Sequence, residues 1–244
     1  MTGHLRVSVH QPAYLPYGGF FAKMLSSDIH IVLDTALYSR QSFQTRNRIR
    51  GPQGQVWLSV PVHGKSKTTL DQLAVDKHTN WSARHWRTIA TIYGKARTAE
   101  LHWIQELNQD HFVDVAGMCL ERLSALLGID VPIIRASSLR PDTWEQNADQ
   151  RLIDLMVQVG GSEYVSGVGG RNYMDLSRWQ DAGLGVTFCD WTSPAYPQPP
   201  HDDFAPDLSI IDLVARLGPS AARKLIQAGT ALQTALPASP AGSE

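Results

Sequence analysis

The stretch that decides the fold is Arg6-Val-Ser-Val-His10-Gln-Pro-Ala-Tyr14-Leu-Pro-Tyr-Gly-Gly-Phe-Phe-Ala-Lys23. Its short run of branched apolar residues predicts a buried strand over residues 5–9. An aromatic, turn-rich loop with two glycines follows, and residues 20–25 have the pattern of a helix. Open α/β folds bind ligands where a strand ends in such a loop. We therefore expect the loop after His10 to contact the ligand of this protein.

The rest of the chain repeats this alternation of strand and helix. Strands are predicted over residues 29–34, 55–62, 129–136 and 185–189, and helices over residues 112–127, 148–159, 175–182 and 208–217. The pattern predicts an α/β fold with a partly parallel, Rossmann-like sheet flanked by helices and a helical lobe over residues 81–128. We expect one α/β catalytic domain over residues 1–236. The tail at 237–244 is rich in Pro, Ala and Ser, so we expect it to be disordered.

Composition limits the class of protein. The chain has 244 residues, a net charge of -1 and a hydrophobic content of 43%. It has no apolar run near the roughly 18 residues of a membrane helix, and its start has no signal-peptide core. We therefore expect a cytoplasmic protein without a membrane partner. Two cysteines and scattered histidines argue against a disulfide framework and a metal site.

Positive charge is concentrated in one segment. Residues 35–70 carry six Lys and Arg residues and no acid. This segment forms either one side of a dipolar surface or a cationic site for phosphate, nucleotide or RNA backbone. Arg46 and Arg48, which flank Asn47, share a face if the chain is extended. Their planar guanidinium groups suit bidentate contact with an anion, although a solvated edge strand would show the same pattern.

Two further motifs offer candidate site residues. His10, at a strand end, suits acid–base catalysis or phosphate contact, unless it caps a buried turn. Tyr14 and Lys23 lie within one or two turns of it and could share its pocket. The stretch Ser166-Gly-Val-Gly-Gly-Arg171-Asn-Tyr173 can present backbone N–H groups to an anion, or it is an ordinary glycine-rich turn.

Taken in order, several motifs resemble those of the WbqC-like protein family. They are the opening His10 to Lys23 stretch, Arg46-Asn-Arg-Ile, Trp57-Leu-Ser-Val-Pro61, Tyr164-Val-Ser-Gly, Tyr196-Pro-Gln198 and Leu208-Ser-Ile-Ile-Asp212-Leu. The resemblance implies a biosynthetic enzyme for O-antigen sugars or antibiotics and other natural products, which modifies an amine by N-acyl or aminoacyl transfer. The chain departs from the family pattern at Tyr17, where tryptophan is expected, and at Arg97-Thr-Ala, beside Lys95.

These observations lead to one main hypothesis. The protein is a transferase that forms an amide on an amino sugar or aminocyclitol, in natural-product or surface-polysaccharide biosynthesis. His10 and Lys23 are the expected catalytic residues, with His10 as the base that deprotonates the amine. Backbone N–H groups of residues 166–170 stabilise the oxyanion. The expected substrate contacts are Gln11, Tyr14, Arg46, Asn47, Arg48, Lys95, Ser166, Gly167, Arg171, Asn172, Tyr173 and Gln198.

The expected substrates are a small-molecule amine and an anionic, activated acyl donor, with aminoacyl-tRNA or a carrier protein as sources of the acyl group. ATP is an open alternative as cofactor. Two other hypotheses are an ATP-dependent acyl-activating ligase and a non-catalytic partner protein of a pathway. The main hypothesis requires that the histidine loop, the arginine row and the late glycine turn converge on one cleft.

Overall fold

The computed structural model describes residues 4–65, 67–139, 147–199 and 203–238. Its strands are β1 (Arg6–His10), β2 (Ile29–Val32), β3 (Arg46–Gly51), β4 (Gly54–Ser59), β5 (Val62–His63), β6 (Ala74–Val75), β7 (Ile133–Arg135), β8 (Glu163–Gly167), β9 (Gly185–Trp191) and β10 (Thr230–Leu236). Its α-helices are α1 (Gly18–Leu25), α2 (Trp81–Tyr93), α3 (Phe112–Leu126), α4 (Ala136–Leu139), α5 (Ala148–Gln158), α6 (Leu176–Asp181), α7 (Ile210–Leu217) and α8 (Pro219–Ala228). Short 3-10 helices span Leu70–Gln72, Ala99–Glu106 and Val168–Asn172.

A six-stranded sheet in the order β10-β9-β8-β1-β2-β7 forms the centre of the protein. The five strands from β9 to β7 are parallel to their neighbours, and β10 pairs antiparallel with β9. The predicted α/β fold with a partly parallel sheet is therefore confirmed. The chain runs from β1 to β2 on one side, and later returns to β8 on the other side of β1.

Hydrophobic residues cover both faces of this sheet. On one face, Leu152, Leu155 and Met156 of α5 pack with Val7 and Val9 of β1. Their spacing of three and four residues places them on one side of the helix, which is why α5 forms against the sheet. On the opposite face, α1 packs against β1, β8 and β9, within a larger cluster that also includes apolar residues of α2, α3, α7 and α8. No helix within the described ranges combines the length and apolar character needed to cross a membrane.

Four sequence-based expectations need correction or a limit. The strand predicted over residues 55–62 is two strands, β4 and β5, because the chain leaves the β3–β4 hairpin before Pro61. The strand predicted over residues 129–136 is only Ile133–Arg135, which begins after Pro132. Helix α8 and strand β10 were not predicted, and β10 is mostly exposed, so it lacks a buried apolar signal. Of the expected disordered tail, Pro237 and Ala238 have no regular structure, and residues 239–244 lie outside the described residues.

The buried carboxylate of Asp212 connects the hairpin to the rest of the protein. Its Oδ1 accepts hydrogen bonds from the backbone N–H of Arg50 at 3.0 Å and from the Tyr93 hydroxyl. Its Oδ2 accepts from the Tyr196 hydroxyl at 2.9 Å and from Arg216 Nε at 3.0 Å. A fully buried carboxylate is tolerated only with such partners. This group therefore ties together α7, β3, α2 and the proline-rich loop before α7.

Replacing this carboxylate should destabilise the fold strongly. Asp212→Asn leaves Arg216 without its counter-charge. It also places an amide NH2 group, which is a donor, where an oxygen accepted hydrogen bonds from other donors. We expect the free energy of unfolding, measured in urea, to fall by about 3–5 kcal/mol. Asp181→Asn, at an exposed position, is the control and should change stability by less than about 0.5 kcal/mol. A loss for Asp212→Asn as small as that of the control would contradict this role.

Candidate functional site

A cavity of about 380 Å³ opens at the carboxyl ends of β1, β8 and β9. Its walls come from the end of β1, the start of α1, the glycine-rich turn after β8 and the end of β9. The direction of strand order reverses at β1, since β2 lies on one side and β8 on the other. Open parallel sheets bind ligands at this position.

The His10 ring has a defined tautomer. Its Nδ1 lies 2.9 Å from the carbonyl oxygen of Gln11. Because a carbonyl oxygen only accepts, Nδ1 carries the hydrogen and Nε2 keeps its lone pair. Burial and the neighbouring charge of Lys23 lower the His10 pKa to about 3, although the bond to Gln11 opposes them. His10 is therefore neutral near neutral pH, and its Nε2 can accept a proton.

Helix α1 places Lys23 in the cavity wall. The side chain is 7% exposed, and Nζ donates a hydrogen bond to the carbonyl oxygen of Val9 at 2.7 Å. Burial lowers the pKa of Lys23 to about 8, although nearby Cys189 opposes this shift. The amine is therefore mostly cationic at neutral pH and loses its charge as the pH rises through about 8.

Two aromatic rings close the side of the cavity next to α1. Tyr17 and Trp191 meet edge to face, with their ring centroids 5.7 Å apart. A Cβ atom on Gly18 would lie 2.5 Å from the Trp191 ring, and one on Gly19 would lie 2.4 Å from the Tyr17 ring. The two glycines of the opening motif therefore let these rings approach the helix. Trp191 was not among the predicted contacts, because it is far from the motif in sequence.

The glycine-rich turn after β8 forms the opposite wall. Ser166 Oγ donates to the carbonyl oxygen of Gly167 at 3.1 Å. A Cβ atom on Gly170 would lie 2.3 Å from Ser166 Oγ, so the glycine lets this side chain pack closely against the turn. Gly167 and Gly169 have open space beside their α-carbons. An anion can therefore approach the backbone of this turn closely.

A buried hydrogen-bonded pair lies behind the cavity. Ser8 and His30 pair directly across β1 and β2, and Ser8 Oγ lies 2.8 Å from His30 Nδ1. The His30 ring packs 5.1 Å from the ring of Phe20, which also contacts His10. Burial, then Lys23 and His10, hold the His30 pKa well below its usual value. This pair was not predicted from the sequence. The only sign of it there is one polar residue, Ser8 or His30, in each of two otherwise apolar strands.

The structure brings six of the fourteen predicted site residues to the cavity: His10, Gln11, Lys23, Ser166, Gly167 and Tyr173. The Gln11 carbonyl oxygen Oε1 accepts from Gln44 Nε2 at 2.7 Å, which fixes its side chain. Tyr173 is 65% exposed and stands at the rim. The histidine loop and the glycine turn therefore converge on one cavity.

Three predicted contacts are instead satisfied inside the protein. The Tyr14 hydroxyl is buried 2.9 Å from His85 Nδ1. Asn47 Nδ2 donates to the carbonyl oxygen of Leu15 at 2.8 Å. The Gln198 amide exchanges two hydrogen bonds with the backbone of Ala205. Their polar groups hold the chain together, and none of the three residues lines the cavity.

The remaining predicted contacts also lie away from the cavity lining. Arg46 and Arg48 project from the β3–β4 hairpin, where they face the Trp57 ring. Arg171 Nη2 donates to Gln233 Oε1 at 2.6 Å. Asn172 and Lys95 are exposed, Lys95 just after the end of α2. The expected convergence of all three segments is therefore corrected: the arginine row forms a separate surface.

The chemistry of the cavity suits an anion. Lys23 supplies a cationic amine, and the glycine-rich turn supplies accessible backbone. Across the described parts of the chain, no three His, Cys, Asp or Glu side chains are grouped so that they could hold a metal ion. The Lys23 ammonium and the open backbone of the turn could hold a cofactor that carries an anionic group.

Comparison with known proteins gives a family but no activity. The model of the WbqC-like protein family matches residues 11–224. The chain is 28% identical over 228 residues to the uncharacterized protein Rv1507c of Mycobacterium tuberculosis (strain ATCC 25618 / H37Rv). That alignment covers 88% of this chain and 95% of the relative. No solved structure matches the chain.

Proposed function

Since the chain belongs to the WbqC-like protein family, we propose that it is a biosynthetic transferase that forms an amide on an amino sugar or aminocyclitol. The acyl group is an N-acyl or aminoacyl group, and the product serves natural-product or surface-polysaccharide biosynthesis. One observation carries the proposal: a neutral histidine and a buried lysine line the same cavity at the switch point of the sheet. A base and an anion-binding group are what acyl transfer to an amine requires.

His10 is the base in this proposal. The neutral amine of the acceptor attacks the acyl carbon, a C–N bond forms, and the bond from that carbon to the leaving group breaks. Nε2 of His10 takes the proton from the attacking nitrogen and returns it to the leaving group. The attacking nitrogen becomes more acidic as it gains positive charge, which offsets part of the weak basicity that the lowered pKa gives His10.

Lys23 and the glycine-rich turn stabilise negative charge on the donor and on the reacting carbonyl. The Lys23 ammonium attracts an anionic part of the donor, because its charge lies in a partly desolvated wall. The open backbone at Gly167 and Gly169 accommodates the oxyanion that develops on the acyl carbonyl. Unlike the hypothesis drawn from the sequence, this proposal does not need the arginine row at the cavity. Arg46, Arg48, Arg171 and Lys95 do not line the cavity and have no part in this step.

An ATP-dependent acyl-activating ligase is the second candidate. The position of the cavity favours it, because nucleotides bind at the same switch point in other open α/β sheets. The two reactions differ in their requirements: the ligase forms product from a free carboxylic acid only when ATP is present, and the transferase uses a preactivated donor without ATP. A protein that yields no product in either assay would fit the third hypothesis, a non-catalytic pathway partner.

Removal of the His10 imidazole should slow the reaction. The wild-type protein is incubated with panels of amino sugars and aminocyclitols and with activated acyl donors, and amide products are detected by mass spectrometry. For the acceptor and donor that react together, we expect His10→Gln to lower kcat by about 10²–10⁴ with little change in KM. Arg97→Gln, at an exposed position, is the control. Wild-type turnover by His10→Gln would exclude His10 as the base.

Lys23 should make donor use depend on pH. The amine is charged below its pKa of about 8 and neutral above it. With the acceptor saturating, kcat/KM for an anionic donor should fall by about tenfold per pH unit above that value. Lys23→Met should have a low kcat/KM without this fall, and the exposed control Lys95→Met should behave as the wild type. The same alkaline fall in Lys23→Met would assign the titration to another group.

A further inference from the structure

The β3–β4 hairpin and the loop before it carry a cluster of two exposed aromatic rings and two half-buried arginines. We define the hairpin face as Phe43, Arg46, Arg48 and Trp57. The Arg46 guanidinium carbon lies 4.3 Å from the centre of the Trp57 ring. The Arg48 guanidinium carbon lies 5.7 Å from the Phe43 ring and 5.9 Å from the Trp57 ring. The two rings are 5.7 Å apart.

Among the residues that the structure describes, no acidic side chain forms an ion pair with the arginines of this face. Arg46 Nη2 donates to the carbonyl oxygen of Gln41, and Arg48 Nη1 donates to Gln55 Oε1 at 2.9 Å. Both acceptors are uncharged, and neither arginine makes an ion pair within the described ranges. No acid occurs anywhere between residues 35 and 70 of the sequence. The face therefore attracts an anion.

The aromatic rings indicate which kind of anion. Trp57 is 43% exposed and Phe43 is 51% exposed, so both rings leave a large apolar area in contact with water. A simple phosphate or carboxylate has no flat apolar group that covers these two rings. A phosphorylated nucleoside does, because its base stacks on aromatic rings and on guanidinium planes while its phosphates pair with the cations.

A smaller cavity connects this face to the proposed reaction site. Its volume is about 150 Å³, and it is lined mainly by apolar groups. His10, Gln11 and Tyr17 line both this cavity and the larger one, and Asn47 and Phe43 also line the smaller one. Phe43 is the member of the hairpin face that adjoins this cavity. A ligand bound on the hairpin face can therefore extend along this cavity to His10.

We propose that the hairpin face binds a phosphorylated nucleoside that forms part of a substrate and directs its reactive end to His10. This inference rests on the proposed function, since it names the class of substrate that the same site would use. Three sources share this chemistry: coenzyme A on the donor side, a nucleoside diphosphate sugar on the acceptor side, and the 3′ end of an aminoacylated RNA.

The test measures binding by isothermal titration calorimetry at low and high salt. The probes are coenzyme A, a uridine diphosphate amino sugar and a short single-stranded RNA ending in CCA, with inorganic pyrophosphate as the anion control. We expect at least one nucleoside probe to bind more tightly than pyrophosphate, and the probe that binds identifies the source. Trp57→Ala and Phe43→Ala should each weaken its binding by about tenfold.

Further variants separate stacking from charge. Trp57→Phe keeps a ring and should retain most of the affinity, which guards against a folding defect in Trp57→Ala. Arg48→Gln should weaken binding several-fold and reduce its salt dependence. Arg97→Gln removes the same charge from an exposed position outside the face and should bind as the wild type does.

Two results would overturn the inference: no nucleoside probe binds better than pyrophosphate, or Trp57→Ala and Phe43→Ala both bind as the wild type does. If the probes bind but no amide forms in the activity assay, the proposed function fails and the nucleoside site stands. If amide forms but either of these two binding results is found, the nucleoside site fails and the proposed function stands.

Discussion

The parallel pairing of β1 with a strand on each side determines where this protein can bind a ligand. Because β2 and β8 flank β1, the segments that follow β1 and β8 diverge beyond the carboxyl ends of the strands. The space between them is the cavity of about 380 Å³. His10 is the last residue of β1, so the topology itself brings this ring to the cavity wall. Every step of the proposed chemistry depends on that placement.

Burial moves the pKa of the two central side chains away from their values in water. It lowers the pKa of His10 and of Lys23 together, and the Lys23 charge adds to the shift on His10. The result is a neutral proton acceptor beside a cation, in one cavity, near neutral pH. In bulk water the imidazole would titrate near that pH and the amine would remain charged well above it. The hydrogen bond from Lys23 to Val9 holds the amine at the strand end.

The sequence could predict what lies in continuous motifs, and it could not predict contacts between distant ones. The opening motif contains a strand, its terminal histidine and the helix that carries Lys23, so one local pattern places both residues. Tyr14 and Gln198 looked equally available, but their partners, His85 and Ala205, come from other segments. The sequence shows the positive charge of the arginine row but not where the row lies relative to the cavity. Its separation from the cavity depends on the β3–β4 hairpin, which the Asp212 carboxylate anchors through tertiary contacts.

The central claim is that a neutral His10 ring, with its hydrogen on Nδ1, stands beside a cationic Lys23. Nitrogen-15 NMR of the histidine rings measures this directly, with His10→Gln to assign the signals. We expect His10 to keep a protonated Nδ1 and an unprotonated Nε2 at pH values well below 6.5. We also expect Lys23→Met to raise the pKa of His10, because the Lys23 charge lowers it. A His10 ring that titrates near 6.5 and is unaffected by Lys23→Met would contradict it.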